Sequence, residues 1–275
     1  MCGFQLFNNP FGFQFTDDRT GNAYLSTENS AFIMQDKYMQ LDINLPSRRI
    51  FGLGERTKDF LLGEGTWTMW ANGQETPFDD GKGGKQTYGV HPFMLVQSST
   101  KSEYFGLFFR NSNAMSPIIQ YTDGGKALFS YITTGGQIEI YFMFKGDPGS
   151  IISQYHNIIG KPTLTPFWSL GWHASAYAYQ NQSDIQNNID GYAAADIPLE
   201  GIWLDIPYMN KYYDFTVDTV KFPSLKNLTD TCHANGQRVI PIIDAGISSN
   251  DTQNKYFAAA AANNSLLRST AFPDE

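Results

Sequence analysis

Two short apolar runs in the second half of this chain each end in a carboxylate. The first is Gly201-Ile-Trp-Leu-Asp205 and the second is Val239-Ile-Pro-Ile-Ile-Asp244. Between them lies Ser224-Leu-Lys-Asn-Leu-Thr-Asp-Thr-Cys232, whose Leu225, Leu228 and Cys232 repeat at helical spacing, with Gly236 placed to end the helix. Strand, helix and strand in that order imply a right-handed parallel unit. Parallel barrels and sheets carry their chemistry at the strand C-termini, so the two aspartates mark a candidate polar rim.

The pattern extends in both directions. Phe167 to Trp172 reads as a buried strand, and a helix follows from Ser183, with Ser183 as N-cap and Ile185 and Ile189 on one face. The next strand runs from Gly201 to Asp205, the third from Val239 to Ile243, and a last helix spans Tyr256 to Ala261. This is about three βα units, whereas a closed eightfold barrel takes about 250 residues. The expectation is a truncated barrel start over 163–275, with the C-terminal barrel half supplied elsewhere in a full-length protein. An open parallel sheet with unpaired edges also predicts poor solubility of the chain alone.

Residues 1–162 have another texture. Short stretches rich in aromatic and β-branched residues follow one another: Phe13–Phe15, Ala31–Met34, Tyr38–Ile43, His91–Val96, Tyr104–Phe109, Lys126–Ile132 and Ile138–Phe144. Gly, Asn and Asp clusters separate them, the pattern of an antiparallel sandwich. A long Gly-rich loop from Gly63 to Tyr88 interrupts it and carries Trp67, Trp70, Asp79 and Asp80.

Composition narrows the function classes. The chain has 275 residues, 41% apolar and 17% charged, which suits a globular protein with a sizeable core. No apolar run reaches the roughly 20 residues of a membrane helix. A net charge of −8 argues against nucleic acid and anionic surfaces. The four histidines (91, 156, 173 and 233) lack metal-ligand spacing. Cys2 and Cys232 are too few for a disulfide framework. No secretory leader is visible at Met1, yet sequons at Asn181, Asn227, Asn250 and Asn263 point weakly toward the secretory pathway or lysosome. Aromatics at 15% fit either a β-rich core or a surface that stacks on sugar rings.

Six segments resemble, in order, the signatures of glycoside hydrolase family 31, the α-glucosidase, sucrase-isomaltase and glucosidase II group. They are Phe51-Gly-Leu-Gly-Glu-Arg56, Tyr88-Gly-Val-His-Pro-Phe93, Asn111-Ser-Asn-Ala-Met115, Thr165-Pro-Phe-Trp-Ser-Leu-Gly-Trp-His173, Trp203-Leu-Asp-Ile-Pro-Tyr-Met209 with Asp214-Phe215, and Asp244-Ala-Gly-Ile247. The resemblance implies a galactose-mutarotase-like sandwich followed by a (β/α)8 TIM barrel. It implies hydrolysis of terminal α-glucosidic bonds by a retaining mechanism, an oligosaccharide or glycan substrate, and no metal or organic cofactor.

By the same resemblance Asp205 hydrogen-bonds the sugar, Ile206 and Ile243 form apolar walls, Tyr177 is an aromatic lining residue, and Asp244 touches or orients the site. One of Gln74, Glu75, Asp79 and Asp80 would reach the sugar from the sandwich loop. The chain departs from the family at Ala176-Tyr-Ala-Tyr179, at Pro207 and at Ala245, which bears on substrate preference. Retaining hydrolysis needs a nucleophile and a general acid/base about 5 Å apart. No family-type nucleophile segment occurs, so no catalytic residue is assigned, and the chain alone is expected to be inactive. From pattern alone Asp205 has a second reading, a carboxylate that caps the following turn. At the level of function, the alternatives are a non-catalytic carbohydrate-binding protein, an inactive truncated pseudoenzyme, and an α-xylosidase or α-glucan lyase on the same scaffold.

Overall fold

The computed structural model describes residues 2–70, 86–99, 102–249 and 255–267. The chain forms two compact units, Met1–Pro162 and Thr163–Glu275.

The first unit is an antiparallel sandwich. Its larger sheet is built from β1 (Cys2–Asn8), β2 (Phe11–Asp17), β3 (Ala23–Ser26), β4 (Phe32–Gln35) and β5 (Tyr38–Leu45). The smaller sheet begins with β6 (Ile50–Gly52) and β7 (Leu61–Leu62), and β8 (Gly65–Thr66) returns to the larger one. The chain continues through β9 (Phe93–Gln97), β10 (Tyr104–Phe109), β11 (Ile118–Thr122), β12 (Lys126–Thr133) and β13 (Ile140–Gly146). The larger sheet runs β1-β2-β3-β5-β12-β11-β8 with β4 on β5, and the smaller runs β13-β10-β9-β6-β7.

Alternation drives this packing. Leu41, Ile43 and Leu45 of β5 are buried, as are Phe129 and Tyr131 of β12, and they meet Phe105, Leu107 and Phe109 of β10. Phe109 stacks on Tyr131 with centroids 4.4 Å apart, an arrangement aromatic pairs favour. β9 begins at Phe93 because Pro92 has no N–H to give a ladder.

β10 shows no alternation, because both of its faces are covered. The outer side of the smaller sheet packs under α1 (Pro148–Ile159), where Leu95, Phe108, Met143 and Ile151 form a satellite core and Phe93 stacks on Tyr155 at 4.3 Å. Gly106 makes this approach possible: a Cβ there would lie 2.7 Å from Ile151 Cγ2. The reading of 1–162 as strands throughout missed α1. Its signals are present, with Asp147 capping Ser150 N–H at 3.0 Å and Pro148 in the first turn.

The second unit holds a three-stranded parallel sheet ordered β14-β15-β16, made of β14 (His173–Ala174), β15 (Gly201–Leu204) and β16 (Arg238–Pro241). Crossovers α2 (Gln182–Ala194) and α3 (Leu225–Ala234) join the strands, and α4 (Lys255–Ala262) follows. Ile202 and Leu204 pack against Ile185, Ile189, Leu228 and Cys232. Gly236 adopts φ +79° just beyond α3, a conformation that costs glycine little.

Two local expectations are corrected. Phe167–Leu170 is a 3₁₀ turn rather than part of a strand, with Phe167 91% and Leu170 69% exposed. The Ser169 N–H and hydroxyl both return to the Pro166 carbonyl, at 3.0 and 2.7 Å, closing the turn locally. The cap of α2 is Asn181, not Ser183. The Asn181 Oδ1 accepts from Asp184 N–H at 3.1 Å and Asp184 Oδ2 accepts from Asn181 N–H at 3.2 Å. This is a reciprocal capping box, and it commits two donors where a serine cap two residues later would commit one.

Candidate active site

Parallel pairing sends all three strands of the second unit in one direction, so the residues after them share a rim. Asp205 follows β15, Tyr177 lies in the loop after β14, and Ile243 and Asp244 follow β16.

Asp205 commits one carboxylate oxygen locally. Its Oδ1 accepts from Ile206 N–H at 2.7 Å and caps the 3₁₀ turn Ile206–Tyr208, so the capping reading holds for that oxygen. No protein group among the described residues hydrogen-bonds Oδ2. An ionised carboxylate keeps acceptor capacity on both oxygens after one such bond, and Asp205 is half-buried at the end of a paired strand. Pro207 is buried in the turn, where its fixed φ suits the start of a helical turn. Ile206 is half-buried and packs against the core below the rim, as does Ile242, whereas Ile243 is 60% exposed.

Tyr177 is 55% exposed and therefore not a core residue. Gln180 Nε2 donates to its carbonyl at 2.6 Å, fixing the loop to the start of α2. Tyr212 is the main influence that raises the Tyr177 phenol pKa above the ordinary tyrosine value. The Tyr212 charge, partial desolvation and the nearby Asp205 carboxylate add to the shift. Tyr177, Tyr212 and Asp205 therefore stand together. Tyr212 escaped the sequence reading. The only cue is an aromatic pair, Tyr212-Tyr213, between the two aspartates; its backbone φ of +62°, beside Lys211 at +53°, is not legible in the sequence.

Asp244 is exposed, and its backbone N–H donates to the buried Asp214 at 3.1 Å. Asp214 thus ties the loop after β15 to the end of β16. Tyr208 reinforces the tie by donating to Ile242 O at 2.9 Å, and burial first, then the Asp214 and Asp244 charges, pushes its phenol pKa up. Phe215 leaves the loop and meets Tyr256 of α4 at 4.8 Å.

His173 sits beside β15. The Trp203 indole can only donate, and it donates to His173 Nδ1 at 3.0 Å. The proton must then be on Nε2, which donates to Trp168 O at 3.2 Å. The ring is a neutral, doubly engaged structural histidine. Gly201 allows it to lie close, since a Cβ there would be 3.1 Å from His173 Nδ1.

Gln74, Glu75, Asp79, Asp80 and Asn250 lie outside the described residues. Among the described residues no group of three or more His, Cys, Asp or Glu is arranged to hold a metal, and no helix is long and apolar enough to cross a membrane.

An antiparallel sandwich and a run of parallel βα units with a carboxylate-bearing rim define a class: a galactose-mutarotase-like domain followed in sequence by part of a TIM barrel. Comparison with known families is specific. Residues 4–116 match the glycosyl hydrolase 31 N-terminal galactose mutarotase-like domain, and residues 162–273 match the glycosyl hydrolases family 31 TIM-barrel domain. The chain belongs to glycosyl hydrolase family 31.

It is 33% identical over 264 residues to "Probable maltase-glucoamylase 2" of Homo sapiens, covering 95% of this chain and 10% of that protein. It is 34% identical over 264 residues to a probable alpha-glucosidase of Oryza sativa subsp. japonica, covering 92% of this chain and 29% of that one. The crystal structure of a glucosidase II alpha subunit shares the fold, with a TM-score of 0.83 at 19% identity over 96% of this chain and 33% of that one. The chain thus spans a tenth to a third of the length of these proteins and covers the N-terminal part of the family.

Proposed function

We propose that the whole protein hydrolyses terminal α-glucosidic bonds with retention of configuration, and that this chain supplies residues that hold the sugar. The observation that carries the reading is the Asp205 carboxylate: one oxygen is committed to the turn below, the other has no hydrogen-bond partner among the described residues, and the charge acts on the exposed Tyr177 phenol. A rigid charged acceptor is well suited to sugar hydroxyls, and an exposed phenol ring offers an apolar face with a polar tip.

Asp205, Ile206, Tyr177, Ile243 and Asp244 make up the proposed sugar-contacting set, and Asp214 and Tyr212 position it. Asp205 is a substrate clamp, not the nucleophile. Retaining hydrolysis draws on two carboxyl groups about 5–5.5 Å apart, and neither role is assigned to a residue of this chain. The names of the relatives support an α-glucoside substrate over an α-xyloside.

The reading is tested by following the anomer released by the whole protein from p-nitrophenyl α-glucoside by NMR. Release of α-glucose, with little turnover of the α-xyloside, is the expected result. Initial release of β-glucose, an unsaturated elimination product or preference for the xyloside would contradict it.

A further inference from the structure

The sandwich unit carries a concave surface of its own, a cleft of about 620 Å³ lined by residues from the ends of β3, β5 and β9 and from the β11–β12 turn. Three cations line it, Arg48, Arg49 and Lys126, together with polar groups that include Ser26, Asn44 and Ser47. None of its lining residues is acidic, in a chain whose net charge is −8. The carboxylates of the adjoining hollow, Asp17 and Glu103, are both bonded to Arg19, at 2.9 and 3.1 Å.

Arg48 is held in place without an acid. Its Nε donates to Lys126 O at 3.3 Å and its Nη2 to Thr122 O, while its backbone N–H donates to Gly125 O at 3.1 Å. The guanidinium also lies over the Tyr121 ring, 4.9 Å from its centroid. These contacts fix the planar fork yet leave the Nη1 hydrogens without a protein acceptor among the described residues. The Arg49 guanidinium lies 5.9 Å from the Phe51 centroid. The Arg49 and Lys126 side chains make no hydrogen bond or ion pair among the described residues. Three like charges with unspent donors around a polar hollow repel one another until a counter-charge enters. A fixed guanidinium fork suits an oxyanion edge, and a lysine adds a mobile point charge.

We propose that this cleft binds a small tetrahedral oxyanion of the phosphate or sulfate class, either free or carried on a sugar. Isothermal titration of the whole protein at low ionic strength tests this, with inorganic phosphate, glucose 6-phosphate and glucose as three separate probes. Saturable phosphate binding is expected, weakened at least tenfold in the Arg49→Gln Lys126→Gln double variant. Those two side chains make no hydrogen bond or ion pair among the described residues, so the variant should keep a melt close to the wild-type circular dichroism melt. Arg48→Gln should weaken binding as well, but it also removes the bonds to Thr122 and Lys126, so it is the secondary variant. Tighter binding of glucose 6-phosphate than of phosphate supports a sugar-borne anion, and equal binding supports the free ion. Phosphate binding that is absent, that chloride at matched ionic strength reproduces, or that survives in the double variant overturns the proposal.

Discussion

At Asp205 the observed turn cap leaves room for the proposed sugar contact. Its Oδ1 is a helix-turn cap and its Oδ2 has no hydrogen-bond partner among the described residues, so capping and the proposed ligand contact do not compete. Its neighbour Tyr177 provides a local test of the geometry. The Tyr212 hydroxyl is the largest influence keeping the Tyr177 phenol protonated above the ordinary range. A proton held more tightly in the folded state gives a contribution that is complete at neutral pH and is lost as pH rises through the raised value. Tyr212→Phe should therefore make Tyr177 ionise at lower pH than in the wild type. Ultraviolet phenolate titration, with Tyr177→Phe to identify the signal, reads this directly; an unchanged titration would mean that the two phenols do not interact.

Between residue and fold, each helix and strand is specified by a few local devices. The Asn181–Asp184 capping box starts α2, and Asn181→Ala should cost about 1 kcal/mol in a chemical melt. A loss below a few tenths would show that tertiary packing, not the cap, fixes this end. Ile185 and Ile189, or Leu225, Leu228 and Cys232, were legible because a 3.6-residue period survives in the sequence. The strand assignment at Phe167–Trp172 failed because apolar content without a clear period does not separate a strand from a turn, and Ser169 returning to the Pro166 carbonyl decides it. α1 was hidden among strands because its start is written in Asp147 and Pro148, while Ile151, Ile152 and Tyr155 read equally well as β-formers. Tyr212 was hidden for another reason: its backbone adopts a positive φ that a single sequence does not announce. The rim itself, by contrast, followed from apolar runs that end in Asp205 and Asp244.

At the scale of the whole molecule, the chain joins a family sandwich to three parallel strands whose outer members, β14 and β16, have no further neighbours among the described residues. The proposed sugar-holding rim has no assigned nucleophile or acid/base, which predicts that the 275-residue chain by itself releases no p-nitrophenol from p-nitrophenyl α-glucoside. Saturable turnover by the pure chain would contradict that division of labour. Bare parallel edges are sites for unwanted strand pairing, and size-exclusion chromatography should show self-association of the isolated chain, where a sharp monomer peak would argue otherwise.

The central claim is that Asp205 holds the substrate. It is tested most directly by comparing kcat/KM for maltose in the whole protein with Asp205 and with Asp205→Asn, which keeps the shape and an acceptor for the Ile206 N–H while removing the charge. Loss of a charged hydrogen bond to substrate predicts a fall of about a hundredfold, from roughly 3 kcal/mol of lost transition-state stabilisation, with the melting temperature little changed. An unchanged kcat/KM in a folded Asp205→Asn protein would contradict the account.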